Sequence, residues 1–375
     1  MRPLIGIVAG EESGDILGAD LILSLKQHFP LATFEGVGGK RMQNAGLKSL
    51  YPLERLAVMG LIEPLKRLPE LLAMRKGLRD HFLKAKPDIF IGIDAPDFNL
   101  SLEQSLKAKG IKTAHYVSPT VWAWRKRRIH KIKKAVDLML TLFPFETKIY
   151  EDHGIPVCCV GHTLADQIPW HSDKSTAREE LALPISGKIV ALLPGSRAQE
   201  LKYLAKEFIQ TAKWLREQDS TIQFISAAPN EFREQQFKAY QEEISGPPIQ
   251  IFRGRATTVM AAADAILCTS GTATLQAMLV KRPTIIAYKM SPLVFSIAKR
   301  IIKVPYIGLP NLLAEKCVMP EFIQSDVQAA KMGEKLLGYL RDSNQDYSDF
   351  ERVHQLLKKN AGESSAQAVA QLINI

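Results

Sequence analysis

The feature that most constrains the fold is an alternation of short apolar runs with longer stretches of helical periodicity, repeated along almost the whole chain. The runs are short and lack strict polar–apolar alternation, which is typical of strands buried on both faces of a sheet. Strands separated by helices predict right-handed βαβ units and parallel sheets. The runs lie at 4–9, 88–93, 112–117, 137–143 and 157–160, and again at 188–193, 222–227, 249–252, 265–268 and 284–288.

The alternation occurs in two series, and the 375-residue length favours two domains. A polar stretch at 166–187 separates the series and is interpreted as a linker between domains 1–165 and 188–345. The predicted fold class is α/β, with two doubly wound, Rossmann-like domains facing a cleft. Residues 346–375 are helical in pattern and have no strand to join. They are expected to pack across the first domain or onto a neighbouring subunit.

Composition excludes several classes of protein. Apolar residues make up 46% and charged residues 23%, so disorder, collagen and coiled coil are set aside. No apolar run is long enough to span a bilayer, and four cysteines without CxxC spacing indicate a reducing compartment. The net charge is +10, and residues 1–164 hold 24 basic and 17 acidic side chains. This excess predicts an anionic partner: nucleic acid, phospholipid or a phosphorylated substrate.

Carboxylates follow directly on a buried strand of the first domain. Asp94 and Asp97 stand at the carboxyl edge, where open α/β sheets bind ligands. Partial burial raises a carboxyl pKa, so Asp94 is a candidate general base for a hydroxyl group. For Asp97 a helix cap is the preferred interpretation. The turn at 10–15 ends the first strand, and there a site and a simple helix cap are equally compatible with the sequence.

Two basic segments of the first domain carry apolar or aromatic partners. Residues 115–124 include Trp122 and Trp124 and run into four consecutive cations, 125–128. They are interpreted as a phosphate or membrane contact, although a solvated helix face has the same pattern. The segment 53–82 carries an apolar stripe interleaved with cations, which suits either an anionic membrane surface or a core-facing helix. Its members are Leu61, Leu65, Leu68 and Leu72.

The second domain contains two strand–turn–helix sequences with small, hydroxyl-bearing turns. In the first, Gly195 and Ser196 precede Arg197, which can pair with a diphosphate at the helix N-terminus. The second is 270–276, and together the two turns predict a phosphate and ribose cradle. Neither matches the Walker A motif. Because DxD, HExxH and clustered Cys/His motifs are also absent from the sequence, a metal-independent mechanism is favoured.

The ordered set of motifs closely resembles bacterial lipid-A-disaccharide synthases, which are inverting glycosyltransferases of the two-domain B type. The resemblance spans nearly the whole chain. The motifs that carry it lie at 10–15, 92–99, 115–124, 143–146, 161–163, 193–197, 270–273 and 309–313.

The resemblance implies a reaction between UDP-2,3-diacylglucosamine and 2,3-diacylglucosamine 1-phosphate (lipid X). The products would be UDP and the β(1→6)-linked tetraacyl disaccharide 1-phosphate, formed with inversion and without a metal cofactor. Asp94 would take the proton of the acceptor 6-hydroxyl. The implied acceptor-side residues are Glu11, Ser13, Tyr116, Ser118, Trp122 and Arg125. The implied donor-binding residues are Gly195, Ser196, Arg197, Ser270, Gly271, Thr272, Gln276 and Asn311.

The resemblance also implies a peripheral enzyme on the inner face of the inner membrane and a homodimer that exchanges C-terminal segments. No nucleic acid is expected as a partner. One departure is Gln276, because the family tends to have a glutamate there for the ribose hydroxyls. Two rival hypotheses remain. The first is another UDP-sugar enzyme of the same fold, either a transferase to a different lipid acceptor or a UDP-N-acetylglucosamine 2-epimerase, and the second is a non-catalytic nucleic-acid- or membrane-binding protein.

Overall fold

A computed structural model describes residues 2–56, 67–301, 304–342 and 344–374. The chain forms two compact units, one of Met1–Asp166 with Leu357–Ile375 and one of Gln167–Leu356. Each unit is built on a parallel sheet with helices between its strands. The predicted class of two doubly wound α/β units is therefore confirmed.

The sheet of the first unit has seven parallel strands in the order β3-β2-β1-β4-β5-β6-β7. The strands are β1 (Leu4–Ala9), β2 (Thr33–Val37), β3 (Leu47–Tyr51), β4 (Ile89–Ile93), β5 (Lys112–Tyr116), β6 (Leu138–Thr141) and β7 (Val157–Cys159). The helices up to the end of this sheet are α1 (Glu12–His28), α2 (Lys40–Ala45), α3 (Leu68–Ala85), α4 (Pro96–Lys107), α5 (Ile129–Ala135), α6 (Thr147–Glu151) and α7 (Thr163–Gln167). Short 3₁₀ turns occur at Leu53–Arg55, Lys126–Arg128 and Pro144–Glu146.

The sheet of the second unit has six parallel strands in the order β10-β9-β8-β11-β12-β13. The strands are β8 (Ile189–Leu193), β9 (Gln223–Ala228), β10 (Ile249–Arg253), β11 (Ala265–Thr269), β12 (Thr284–Tyr288) and β13 (Glu321–Ile323). The helices are α8 (Lys174–Glu180), α9 (Ala198–Gln218), α10 (Glu231–Ile244), α11 (Ala256–Ala262), α12 (Thr272–Leu279), α13 (Pro292–Ile301), α14 (Leu309–Ala314), α15 (Ala329–Arg341) and α16 (Ser348–Leu357), with a 3₁₀ turn at Gln324–Asp326.

The central strands explain why the sequence forms these sheets. All residues of β4 and β8 are buried, so both faces of each strand lie under helices. The strand order reverses direction between β1 and β4 in the first sheet, and between β8 and β11 in the second. Loops leave such a switch point on opposite faces of the sheet, which opens a crevice at the carboxyl ends of the two strands. The Glu11–Asp94 pair and the two turns of the second unit, described below, lie at these two places.

The last helix, α17 (Ala361–Asn374), packs on the first unit of its own chain. It lies against α1, where His28 Nε2 is 2.8 Å from Glu363 Oε1. The Asp166 carboxylate accepts hydrogen bonds from the N–H groups of Asn360 and Ala361 at the start of this helix, at 2.9 and 2.7 Å. The segment expected at 346–375 is therefore divided, because α16 belongs almost entirely to the second unit.

The stretch 166–187, interpreted as a linker, contains an ordered helix of the second unit. The Arg178 side chain on α8 is 2% exposed and is bound to the Asp264 carboxylate and to the carbonyl of Ala262. The unit boundary lies between Asp166 and Gln167. The polar composition of this stretch reflects a buried ion pair and surface turns.

None of the helices in the described ranges combines the length and hydrophobicity that a bilayer-spanning helix requires. Leu61 and Leu65 of the predicted apolar stripe lie outside the described residues. The other two members, Leu68 and Leu72 at the start of α3, are 46% and 44% exposed. Of the two interpretations of this stripe, exposure of these two leucines favours a surface role over a core-facing one.

Candidate functional site

Two acidic side chains meet at the switch point of the first sheet. Glu11 follows β1, and Asp94 follows β4, its direct neighbour in the sheet. The two side chains are close enough to interact electrostatically, and the negative charge of Glu11 raises the pKa of Asp94. The structure thus brings together the predicted general base and one predicted acceptor-side residue.

The backbone at Asp94 is strained. Asp94 and Ala95 both have positive φ angles, 53° and 42°, which residues with side chains rarely adopt. The fully buried Asn99 holds this turn in place, since its Nδ2 lies 2.8 Å from the Asp94 carbonyl oxygen and 3.2 Å from that of Val8. Gly10 is required beside the turn, because a Cβ there would lie 2.2 Å from Ala95 Cβ. Asn99 and Gly10 thus support the backbone conformation in which the turn presents Asp94.

Burial is the main reason why the pKa of Asp94 is raised above the ordinary aspartate value, and the Glu11 charge is the second. A hydrogen bond from the Ala95 N–H and the proximity of His115 act in the opposite direction. A raised pKa makes a carboxylate a stronger base for a substrate hydroxyl. The environment of Asp94 therefore suits the role that its position predicted.

The rest of the 10–15 turn has mixed roles. Ser13 is exposed and donates a hydrogen bond to Glu11 Oε1 at 2.6 Å. Asp15 is 4% exposed, and its carboxylate accepts hydrogen bonds from the N–H groups of Arg41 and Met42. Glu11 and Ser13 therefore face outward as predicted for a binding turn, whereas Asp15 caps α2.

Asp97 does not cap α4, contrary to the preferred interpretation of the sequence. The N-cap position of this helix is Ala95, with no side-chain cap. The Asp97 carboxylate instead pairs with Arg128 and lies 3.7 Å from Arg125 Nη1. These ion pairs join the turn after β4 to the basic segment after β5.

The loop after β5 is organised by a buried carboxyl group, Glu146. Its Oε1 lies 3.3 Å from Trp122 Nε1, and its Oε2 accepts a hydrogen bond from the Phe143 N–H at 3.1 Å. Burial raises the pKa of Glu146 to about 7, and a hydrogen bond from Ser118 opposes this shift. Ser118 Oγ also lies 2.7 Å from the Tyr150 hydroxyl. Ser118, predicted on the acceptor side, is buried and positions the loop together with Glu146, which belongs to the motif at 143–146.

Beside this loop is a cleft of about 530 Å³ with aromatic and cationic walls. Trp122 and Phe145 pack edge to face there, with ring centroids 5.0 Å apart. Lys126, Arg127 and Lys148 contribute the charge. Arg125 is exposed, and its guanidinium lies 4.3 Å from the Trp124 ring centroid. Aromatic faces beside several cations can bind a phosphorylated sugar.

Tyr116 does not belong to the acceptor side as predicted. Its side chain is fully buried, and burial raises the pKa of its hydroxyl strongly. The groups that act on this hydroxyl include Ser365, on α17, and Asp20, on α1. The sequence placed Tyr116 at a strand end, but α17 covers it.

In the second unit, the structure brings the two predicted turns together. Strands β8 and β11 are direct neighbours, with Leu193 paired to Cys268, so the turns that follow them emerge side by side. Ser196, Arg197, Gly271 and Thr272 are exposed there. These turns open α9 and α12, whose N-terminal N–H groups favour an anion.

A carboxylate already occupies the anion position at the start of α9. Glu200 Oε2 accepts hydrogen bonds from the N–H groups of Ser196 and Arg197, at 2.9 and 3.1 Å. Its Oε1 lies 3.7 Å from Arg197 Nη1. A Cβ at Gly195, where φ is 127°, would lie 2.3 Å from Glu200 Oε2. Gly195 is thus needed for this arrangement, and Glu200 is a site residue that the sequence analysis missed, although the capping-box spacing of α9 pointed to it.

Two other predicted donor-side residues have internal partners. Ser270 Oγ donates to the Ile307 carbonyl at 2.9 Å. The half-buried Gln276 has its Nε2 3.4 Å from Thr257 Oγ1. These contacts leave the exposed Gly271 and Thr272 as the open part of this turn.

Asn311 is a structural residue, which corrects its assignment to donor binding. It is fully buried, and its Nδ2 donates to the Met319 carbonyl and to Glu321 Oε1, at 2.7 and 2.8 Å. Its Oδ1 accepts hydrogen bonds from the N–H groups of Val318 and Met319. All of its hydrogen-bonding groups are used to join α14 to the segment that leads into β13.

A cavity of about 580 Å³ lies at the opposite edge of the second sheet. Its lining includes Gly187, Asp264 and Pro283, which directly or nearly precede β8, β11 and β12. It therefore belongs to the amino ends of the strands, away from both turns. Among the residues that the structure describes, no group of three or more His, Cys, Asp or Glu side chains is placed to hold a metal ion.

Comparison with known proteins shows which family the chain is similar to. The sequence model of the family described as lipid-A-disaccharide synthetase matches residues 5–374. Lipid-A-disaccharide synthase of Hahella chejuensis is 51% identical, over 99% of this chain and 95% of that protein. Lipid-A-disaccharide synthase of Cellvibrio japonicus is 50% identical, over 98% and 97%.

Solved structures share the fold at much lower identity. The UDP-GlcNAc 2-epimerase of Methanocaldococcus jannaschii, in complex with UDP-GlcNAc and UDP, superposes with a TM-score of 0.63 at 14% identity. The match covers 99% of this chain and all of that one. At this identity the likeness concerns the two-unit α/β fold alone.

Proposed function

The chain belongs to the lipid-A-disaccharide synthase family, and from this premise we propose that it joins UDP-2,3-diacylglucosamine to 2,3-diacylglucosamine 1-phosphate. The products are UDP and the β(1→6)-linked tetraacyl disaccharide 1-phosphate. The observation that carries the proposal is Asp94, a partly buried carboxylate at the switch point of the first sheet with a raised pKa. Family membership disfavours the epimerase and the non-catalytic protein considered from the sequence.

The chemical step that we propose is a single displacement. The Asp94 carboxylate accepts the proton of the acceptor 6-hydroxyl while that oxygen forms a bond to the anomeric carbon of the donor. The bond from the anomeric carbon to the diphosphate breaks, and UDP leaves from the opposite face, which inverts the configuration. A positioned base of this kind contributes about 10²–10⁴-fold to the rate.

The second unit is the proposed donor side. Arg197 and the N–H groups at the start of α9 and α12 would stabilise the charge that develops on the leaving diphosphate, so we propose a reaction without a metal cofactor. Glu200 bonds to two of those N–H groups, and we propose that the diphosphate displaces its carboxylate. Gln276 would accept a ribose hydroxyl through its amide oxygen, in place of a charged glutamate.

The first unit is the proposed acceptor side. The cleft beside Trp122, with Lys126, Arg127 and Lys148, has the charge to bind the acceptor 1-phosphate. Both substrates are acylated, so we propose that the enzyme works at a membrane surface, and the exposed Leu68 and Leu72 support peripheral attachment. The cytoplasmic face is what the family resemblance implies. From the family resemblance we also propose a homodimer that exchanges C-terminal segments, in which α17 would take on the neighbouring subunit the place that it holds on its own chain in this structure.

The test is the release of UDP from UDP-2,3-diacylglucosamine by the purified protein in detergent, with and without lipid X and in the presence of EDTA. We expect release that depends on lipid X, with one disaccharide 1-phosphate formed for each UDP. Release without an acceptor, or formation of an epimerised UDP-sugar, would contradict the proposal. Loss of activity with EDTA and its recovery with Mg²⁺ would contradict the metal-independent mechanism alone.

The division into donor and acceptor sides is tested by Arg197→Ala. The loss of a charge-assisted contact to the diphosphate should lower kcat/KM for the UDP-sugar about tenfold to a hundredfold, with KM for lipid X little changed. A KM for lipid X raised by the same factor would contradict the assignment of the second unit to the donor.

A further inference from the structure

Helix α13 of the second unit turns an apolar stripe outward. Leu293 is 74% exposed, Val294 44%, Ile297 50% and Ile301 54%. No residue of this helix is buried. Of its apolar residues after Pro292, Phe295 and Ala298 are half-buried and lie on the side away from the stripe. Single exposed apolar residues are common on protein surfaces, but a contiguous stripe marks an interaction surface.

Cations flank the stripe, and the surrounding sequence contains no acidic residues. Lys299 and Arg300 are exposed in the last turn of α13. No aspartate or glutamate occurs in the sequence between Asp264 and Glu315. An apolar face bordered by lysine and arginine is typical of helices that lie in the interface of an anionic bilayer.

The charge also argues against a second copy of this chain as the occupant. A two-fold symmetric contact between two α13 helices would bring the same cationic segments towards each other. The acid-free sequence around α13 offers no local carboxylate to neutralise Lys299 and Arg300 in such a contact. Anionic lipid headgroups supply that charge while the acyl region receives the apolar side chains.

We propose that α13 is a membrane-binding element, with Leu293, Val294, Ile297 and Ile301 inserted at the headgroup–acyl boundary of an anionic bilayer and Lys299 and Arg300 at the phosphates. It is a second contact, in a different unit from the predicted stripe at 61–72. The inference goes beyond the proposed reaction and does not require it, because it concerns attachment of the protein to lipid.

The experiment measures binding of the full-length protein to vesicles of phosphatidylcholine containing phosphatidylglycerol, and to vesicles of phosphatidylcholine alone. Leu293→Ser with Ile297→Ser should lower the partition coefficient for the anionic vesicles at least about tenfold. Lys299→Gln with Arg300→Gln should lower it about tenfold at low salt and much less at high salt. Both pairs are also made together with Leu68→Ser and Leu72→Ser, so that binding through the first unit does not conceal the effect.

The matched control is Phe232→Ser. Phe232 is 67% exposed on α10 of the same unit, but its neighbours Glu231 and Glu234 outnumber the one cation at its ring, Arg233, so its loss should leave vesicle binding unchanged. Circular dichroism and light scattering establish that each variant keeps its fold and oligomeric state. Unchanged vesicle binding by the Leu293/Ile297 variant would overturn the proposal. Unchanged vesicle binding by this variant together with a smaller oligomer would identify the stripe as a contact between copies of this chain.

Activity on detergent-dispersed substrates separates this proposal from the proposed function. The Leu293/Ile297 variant should keep the wild-type rate there, since no bilayer is present. An inactive wild-type protein that still binds vesicles through α13 would overturn the proposed reaction and leave the membrane element in place.

Discussion

Glu11 and Asp94 stand at the ends of neighbouring strands of the first sheet, and the charge of Glu11 helps to raise the pKa of Asp94. Two carboxyl groups that share a site ionise at different pH values, and the more buried one becomes the stronger base. In this pair the pKa of Asp94 is raised chiefly by burial and its backbone is strained, while Glu11 accepts a hydrogen bond from the exposed Ser13. The relationship supports the proposed role of Asp94 as the base, with the charge of Glu11 acting on its pKa.

Asp94→Asn should lower kcat about 10²–10⁴-fold, because an amide cannot accept the proton of the acceptor hydroxyl. KM for both substrates should change little, since asparagine keeps the size of the side chain. Initial rates of UDP release measure both constants. Asp97→Asn is the control: Asp97 is 78% exposed and pairs with Arg128, so its loss should cost less than tenfold. Similar losses in the two variants would argue against a distinct role for Asp94.

Glu11→Gln should move the acid limb of the kcat–pH profile to lower pH. Asp94 must be deprotonated to act, so activity falls as the pH drops through its pKa. Removal of the Glu11 charge takes away one cause of the raised pKa, and Asp94 then stays ionised at lower pH. Glu12→Gln, which removes the same charge from the exposed neighbouring residue, should leave the limb in place. A shift to higher pH in Glu11→Gln would contradict the assignment.

The sequence predicted the interior of both sheets well, and the physical reason is burial on two faces. Each apolar run that was interpreted as a strand is one, and each begins within one residue of the expected position. The strands that were missed are β2, β3 and β13. They lie at or next to a sheet edge, where polar residues such as Glu35, paired with Lys48 across β2 and β3, interrupt the apolar pattern.

Candidate site residues could be predicted from the sequence where they directly follow a buried strand, because the end of that strand alone fixes their position. Asp94, Glu11 and Arg197 are of this kind, because a turn after a buried strand must emerge at the carboxyl edge of the sheet. Tyr116 and Asn311 were misassigned because distant segments cover them, and the approach of α17 or of the segment before β13 is not encoded in the local motif. Local sequence indicates the edge of the sheet, whereas long-range packing decides which side chains stay open.

Glu200→Gln should tighten the binding of UDP. The carboxylate and the diphosphate compete for the N–H groups of Ser196 and Arg197, and their negative charges repel each other at short range. Removal of one charge should lower Kd about fivefold to thirtyfold, or about 1–2 kcal/mol, while the amide oxygen still caps the helix. Calorimetric titration with UDP measures the change.

Glu217→Gln is the matched control for this variant, since it removes the same charge from an exposed residue near the end of α9. Its Kd for UDP should equal that of the wild type. Weaker UDP binding by Glu200→Gln would mean that the carboxylate holds the turn in its binding conformation, and that the diphosphate does not displace it.

Asn311→Ala should destabilise the second unit by about 2–4 kcal/mol. It removes the acceptor of the buried Met319 N–H and the amide donor to the Met319 carbonyl and Glu321 Oε1. Asn230→Ala offers a comparison, because Asn230 caps α10 through one hydrogen bond and its loss should cost about 1 kcal/mol. Urea unfolding measures both. Under conditions in which Asn311→Ala is folded, it should bind UDP with the affinity of the wild type. A loss of UDP affinity with unchanged stability would instead support a role for Asn311 in donor binding.

His162 should make the first unit less stable in mild acid. Burial lowers the pKa of this histidine to about 4, and its Nδ1 accepts a hydrogen bond from the Leu164 N–H at 3.1 Å, which requires an unprotonated nitrogen. The unfolded chain binds this proton at a pKa of about 6.5, so between these values the unfolded state holds more protons and stability falls as the pH is lowered. The full window corresponds to a loss of about 3 kcal/mol. Relative to the wild type, His162→Asn should have a higher urea midpoint near the acid end of this window than near the other end, whereas His171→Asn, at an exposed histidine, should show no such difference. Glu146, whose raised pKa acts in the opposite direction over this window, is unchanged in both variants. An undiminished acid dependence in His162→Asn would show that other groups cause it.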